Sequence, residues 1–256
     1  MAALSLALSL KKMADGKESH EMKRTEIKPN SLLGAILPVS GVLEIQNDMM
    51  ATYFVTSNHW RSLLIIGQSQ VQRNGLLFQA ALTHASLGKQ VMCVMTKEFI
   101  RIPPTTHGLP NMEPGNMVNI TFKYCQEMKS LSELLISFCS TQNELLPDVL
   151  VVNSLNEYKR SKLLLSGTQY ASILSLLSET VEYIGRRKQT TVLLYVSLSL
   201  ALTQEEQKTW IDLVKQWTHE LWILEGNANR LVCGRIQVQF TVLGSNMFLK
   251  TVSEID

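Results

Sequence analysis

The sequence predicts an α/β fold: a mostly parallel sheet with helices on both faces and an antiparallel C-terminal extension. Three observations carry this. Apolar runs such as SLLIIG (62–67), QVMCVMT (90–96) and DVLVVNSL (148–155) are continuous rather than alternating, as in strands buried on both faces. Segments with helical spacing lie between them. The tail, with LWILEG, RIQVQFTVL and NMFLKTV, changes to period-2 alternation, and LGSN (243–246) is a plausible hairpin turn.

The elements follow in order. The strand 62–67 ends in Gly67, and a helix begins near Leu76, with Leu76, Leu77, Ala80, Ala81 and Ala85 on one face. After the strand 90–96, residues 101–115 hold four prolines and read as a long surface loop. NMVNITFKY (116–124) reads as a strand. SLSELLISFCS (130–140) reads as a helix capped by Ser130, with Glu133 completing a capping box. A strand at 148–155 precedes a helix at 171–184, which is followed by Gly185 and the triplet Arg186, Arg187 and Lys188. Residues 190–200 are rich in β-branched side chains and form a strand. Thr203 begins a helix over 204–217 that carries Trp210 and Trp217.

With 45% hydrophobic and 18% charged residues, the 256-residue chain can bury a sizeable core in one domain plus an extension. A net charge of +2 neither requires nor excludes nucleic acid, because a basic patch can sit inside a balanced total. Residues 1–59 form an N-terminal extension and 60–256 the domain. AALSLALSL (2–10) is shorter than the roughly 20 residues of a membrane helix, and its lysines follow the apolar run instead of preceding it. A soluble intracellular protein with no membrane partner is expected. Residues 11–30 are polar and mixed in charge, as disordered segments are. Residues 32–54 have no clear period and allow a strand or a short helix. The four cysteines and five histidines show no ligand spacing, so no metal site is expected. Cys93, Cys125 and Cys139 sit among apolar neighbours and read as buried reduced thiols.

In such sheets ligands sit beyond the carboxyl ends of the strands. LIIGQSQVQRNGLLFQAAL (64–82) has the outline of a phosphate-binding loop at that place. A working loop has a second Gly, then Lys, then Ser or Thr. Gln72, Arg73 and Asn74 stand there. Glycine leaves room for backbone N–H groups to converge on phosphate, lysine holds the terminal phosphates, and the hydroxyl binds magnesium. Gln72 crowds that room, Arg73 keeps a charge in a different shape, and Asn74 is a weak ligand. The second nucleotide element is an Asp ending a later strand. Asn153 takes its place, and a neutral amide cannot offset the desolvation of a divalent cation. Two separate defects argue against efficient hydrolysis. No cofactor is expected, although weak binding of ATP with magnesium stays open, and no catalytic residue is assigned. Neither a GxSxG elbow nor a GxGxxG fingerprint occurs.

LLIIGQSQVQRNGLLFQAAL, VNITFKYCQEMKSLSELLISFCS and PDVLVVNSLNEY, in this order, resemble the RecA-type recombinase paralogues. The resemblance is closest to the small paralogue that pairs with a SWIM zinc-finger protein in the metazoan Shu complex. It covers about residues 60–250. It implies a RecA-like P-loop NTPase core in which Gln72, Arg73, Asn74 and Asn153 replace the family's Gly, Lys, Thr and Asp. It also implies a nuclear protein of homologous recombination and DNA repair, in meiosis or at damaged replication forks. A SWIM partner, a recombinase or its paralogues, and single-stranded or branched DNA are the implied partners. ATPase activity is the trait the departures take away. A divergent but active ATPase and an unrelated α/β interaction module remain as alternatives.

Arg186, Arg187 and Lys188, with Lys159, Arg160 and Lys162, are candidates for contact with DNA phosphates. The triplet equally suits a helix C-terminus. Phe78 and Ala81 match the Phe-x-x-Ala pattern by which recombinases join, and equally suit a core helix. Trp210 and Trp217 are one heptad apart and suit either a partner surface or the sheet.

Overall fold

The computed structural model describes residues 32–37, 61–142, 145–158, 167–199, 211–225 and 228–254. Its first half runs β1 (Ser62–Gly67), α1 (Gln70–Ser86), β2 (Val91–Met95), β3 (Thr105–Thr106), the single turn α2 (Pro114–Met117), β4 (Ile120–Tyr124) and α3 (Met128–Ser137). Next come β5 (Val149–Val152), α4 (Gly167–Lys188), β6 (Leu193–Leu198), β7 (Glu220–Glu225), β8 (Arg230–Cys233), β9 (Ile236–Leu243) and β10 (Asn246–Glu254). Short 3-10 turns form at Leu33–Ala35 and Leu155–Glu157.

All ten strands join one sheet in the order β3-β10-β9-β8-β7-β1-β6-β5-β2-β4. From β7 to β4 every pairing is parallel. From β7 through β10 the pairings are antiparallel, which is the expected C-terminal extension. Successive side chains of a strand face opposite ways. Leu63 and Ile65 therefore enter one core with α1, while Leu64 and Ile66 enter a second core with α3 and α4. Burial on both sides is the reason these strands lack alternation.

Three local readings are corrected. Residues 101–115 are not wholly a surface loop. They contain β3, a two-residue strand whose place is set by its parallel pairing with Asn246 and Met247 of β10. Because β2 stands ninth and β3 first in the sheet, residues 96–104 cross it as a strap. The helix expected at 130–140 begins at Met128. Glu127 is its N-cap and Ser130 its third residue, so the capping box is present with its acid and hydroxyl exchanged. Cys139 is exposed, since α3 has ended by Phe138, while Cys93 and Cys125 are buried.

Part of the N-terminal extension belongs to the core. Residues 32–37 are mostly buried, with Leu33, Ile36 and Leu37 packed beside α1. Thr106 Oγ1 donates to the Ile36 carbonyl at 2.8 Å, and Tyr195 Oη donates to that of Leu32 at 3.3 Å. Residues 1–31 and 38–60, Lys159, Arg160 and Lys162 lie outside the described residues, as does Trp210 with the first half of the helix expected at 204–217. Residues 211–214 are helical, and Trp217 packs half-buried on the core that α4 covers.

Candidate functional site

β1 ends at Gly67, level with Leu224 of β7. A Cβ at Gly67 would lie 2.6 Å from both the Cβ and the carbonyl oxygen of Leu224. Glycine is needed here for the approach of two strands, whatever binds above them.

Only Gln68 and Ser69 separate Gly67 from α1. Ser69 is the N-cap: its backbone is extended, and its Oγ accepts from the Gln72 N–H at 3.5 Å. The Arg73 N–H bonds the Ser69 carbonyl at 3.1 Å. Residues 70–73 are thus the first turn of a helix. A phosphate loop keeps these residues open, with N–H groups turned on one point. The helix expected from Leu76 starts at Gln70 because Ser69 and Gln72 have the spacing of a capping box and no glycine interrupts the turn.

Each motif side chain is used within the fold. Arg73 is 1% exposed and donates to the Gly67 carbonyl oxygen. Burial lowers its pKa to about 10, against the attraction of Glu157, so it stays charged at neutral pH. Gln72 donates to Oδ1 of Asn229, just before β8. Asn153 Nδ2 donates to Asn74 Oδ1 at 2.9 Å, so the expected loop and the expected second motif do meet. Asn153 Oδ1 accepts from Ser197 Oγ at 2.9 Å and from Ser154 Oγ at 3.3 Å. The Ser154 N–H, at a left-handed residue with φ 51°, donates to Ser197 Oγ at 2.8 Å.

This set does not fit ATP with magnesium. Where a hydroxyl and a carboxylate would share an ion, two neutral amides share a hydrogen bond, and both amide oxygens already accept. The guanidinium that replaces the lysine is sealed against its own backbone. The nearby carboxylate, Glu157, accepts from Gln70 Nε2 at 2.8 Å and Thr96 Oγ1 at 2.9 Å, and lies 3.8 Å from Lys97 Nζ. These bonds tie the start of α1 to the end of β2 and the turn after β5. Above them opens a cleft of about 580 Å³, walled by Phe99, Ile102 and Pro103 of the strap. Glu98, also on its wall, is exposed.

The amide pair yields a first prediction. Asn153→Asp deletes the Nδ2 donor and sets a charge against Asn74 Oδ1 in a buried place. Stability at pH 7 is expected to fall by about 2 kcal/mol. Urea melts that show a stability equal to or above that of the unmodified chain would refute the latch.

The basic triplet lies at the opposite, amino end of the parallel strands, where α4 ends before β6 begins. Arg187 donates to the carbonyls of Phe138 at 3.0 Å and Cys139 at 3.3 Å, where α3 ends. Lys188 donates to the Leu146 carbonyl at 3.0 Å and pairs with Asp148. Among the described residues Arg186 makes only a 3.8 Å pair with Glu182, and its side chain is 71% exposed. The fold thus keeps Gly67, Gln72, Arg73, Asn74 and Asn153 together and sets Arg186, Arg187 and Lys188 apart from them. Phe78 and Ala81 are buried, with the Phe78 ring edge-on to Phe99 at 5.7 Å. Sequence reasoning missed Ser69, Ser197 and Asn229, although the Ser69/Gln72 spacing was a usable signal.

No protein-family model and no curated protein sequence matches the chain. Among solved structures it is similar to a RadB recombinase, with 13% identity and a TM-score of 0.52. The match covers 75% of this chain and 91% of that one. A likeness at such identity is one of architecture, and with the strand order above it makes the fold of this chain RecA-like.

Proposed function

We propose that the protein is a non-catalytic mediator of homologous recombination. In this reading it pairs with a SWIM zinc-finger protein, binds single-stranded or branched DNA, and supports assembly of a recombinase filament in the nucleus. One observation carries the reading: the Asn74–Asn153 latch and the buried Arg73 turn a nucleotide-binding position into part of the scaffold. Partner binding and DNA binding do not need hydrolysis, so a RecA-like fold can keep them after losing it. RadB, a structural neighbour, is a recombinase, which agrees with this field of action.

Calorimetric titration with ATP tests the first half of the proposal. Heats are expected to be the same with and without magnesium, and any dissociation constant weaker than about 1 mM. Tight, magnesium-dependent binding, or hydrolysis abolished by Arg73→Ala, would establish the divergent ATPase instead. Affinity purification from germ-line or replication-stressed cells tests the second half. A SWIM-domain protein and a recombinase are expected to co-purify, and their absence from a soluble, intact bait would refute the partnership.

A further inference from the structure

The amino edge of the sheet holds a basic hollow that no single stretch of sequence announces. It has a volume of about 350 Å³ and lies between the end of α4 and the residues that lead into β1 and β6. Arg61, just before β1, and Arg186, in the last turn of α4, line it together with Gln189, Thr190 and Thr191. Arg61 is exposed, and among the described residues Arg186 is held only by the long, solvent-exposed pair with Glu182. Such a pair contributes little and yields readily to a better anion.

The frame around the hollow is set. Gln189 is left-handed with φ 55°, and the Thr190 N–H bonds the Gly185 carbonyl at 3.1 Å. Gly185 lets this turn close on α4, for a Cβ there would lie 2.9 Å from the Thr190 carbonyl oxygen. Arg187 and Lys188 anchor the same helix end to α3 and Asp148, so they position the hollow without entering it. Two guanidinium groups with hydroxyl and amide donors beside them match the oxygens of one phosphodiester.

We propose that Arg61 and Arg186 bind a backbone phosphate of single-stranded DNA in this hollow, at the edge opposite Gly67. The inference rests on the DNA-binding reading above and places that contact. Single-stranded DNA is favoured over a free phosphate because the hollow is open and Glu182 offsets part of its charge. A strand adds neighbouring contacts that a lone ion cannot.

The test is fluorescence anisotropy of a labelled oligo-dT strand with the full chain, repeated between about 50 and 200 mM salt. Arg61→Ala/Arg186→Ala is expected to weaken binding at least tenfold at the lowest salt. Its log–log salt slope should be shallower by about 0.7, the share of one phosphate contact on a single strand. Both side chains reach solvent, so melting of the double variant should match that of the parent. Glu182→Gln is expected to tighten binding. Arg235→Ala/Lys250→Ala removes the same charge from exposed positions, in the turn between β8 and β9 and on β10, and should change neither quantity. If Arg61→Ala/Arg186→Ala binds like the parent, the hollow is not the site, while DNA binding stands. If both double variants weaken equally, net charge alone is read and the site is again refuted. If the parent chain fails to bind at about 50 mM salt, the DNA reading and this site fall together.

Discussion

Gly67→Ala is expected to destabilise the protein by about 3 kcal/mol, with or without ATP present. The new methyl group would meet the Cβ and the carbonyl oxygen of Leu224, each at 2.6 Å. The neighbour is backbone in a paired strand, so it cannot swing aside. Relief requires β1 and β7 to part at Gly67↔Leu224, the last pair of their register. It would also shift the Gly67 carbonyl that receives Arg73. Urea denaturation at a fixed pH reads the loss, and ATP with magnesium should leave it unchanged. A variant within about 0.5 kcal/mol of the parent would show that the strands part freely. The glycine would then have no structural role, and only ancestry in a phosphate loop would account for it.

Glu220→Gln is expected to stabilise the protein by about 3 kcal/mol at pH 8 and by almost nothing below pH 4.5. Glu220 is 1% exposed in β7. Its Oε2 accepts from Trp222 Nε1 at 2.9 Å, and Oε1 has no partner among the described residues. Burial raises its pKa from 4.5 to about 7, and the bond from Trp222 only partly opposes this. The folded state therefore holds its proton more tightly than the unfolded state. The resulting loss of stability begins as pH rises through 4.5 and is complete above about 7. Glutamine keeps an acceptor for Trp222 and carries no charge. Thermal or urea melts of both forms across pH 4 to 8 check this, and a difference that does not grow with pH would refute it.

Much of the frame was legible because its cause is local. β1, β2, β5 and β6 are apolar on both faces, and runs so short suit a buried strand better than a helix. The antiparallel tail was legible because β9 alternates as a half-exposed strand must. β3 was hidden because two threonines in a proline-rich stretch carry no period, and only Asn246 and Met247 make them a strand. The departures at Gln72, Arg73, Asn74 and Asn153 could be read one by one. Their joint use could not, because Asn74 and Asn153 are 79 residues apart. The inward turn of Arg73 was also unreadable, since an arginine two turns before a core alanine usually faces water. The triplet Arg186 to Lys188 looked like one unit. On a helix, consecutive residues face different ways, so it divided into one open cation and two anchors.

The strap from β2 to β3 has a consequence for the order in which the chain can fold. β3 is made early, but its strand partner lies in β10; Thr105 and Asn246 are 141 residues apart. Leu33, Ile36 and Leu37 enter the same core as Met247. On the ribosome these apolar residues emerge well before β10 and wait for it. Closing so long a loop is slow, and contacts of this range belong to the late part of folding. A nascent chain paused before β10 therefore presents an unfinished apolar seam, the kind of surface that chaperones hold.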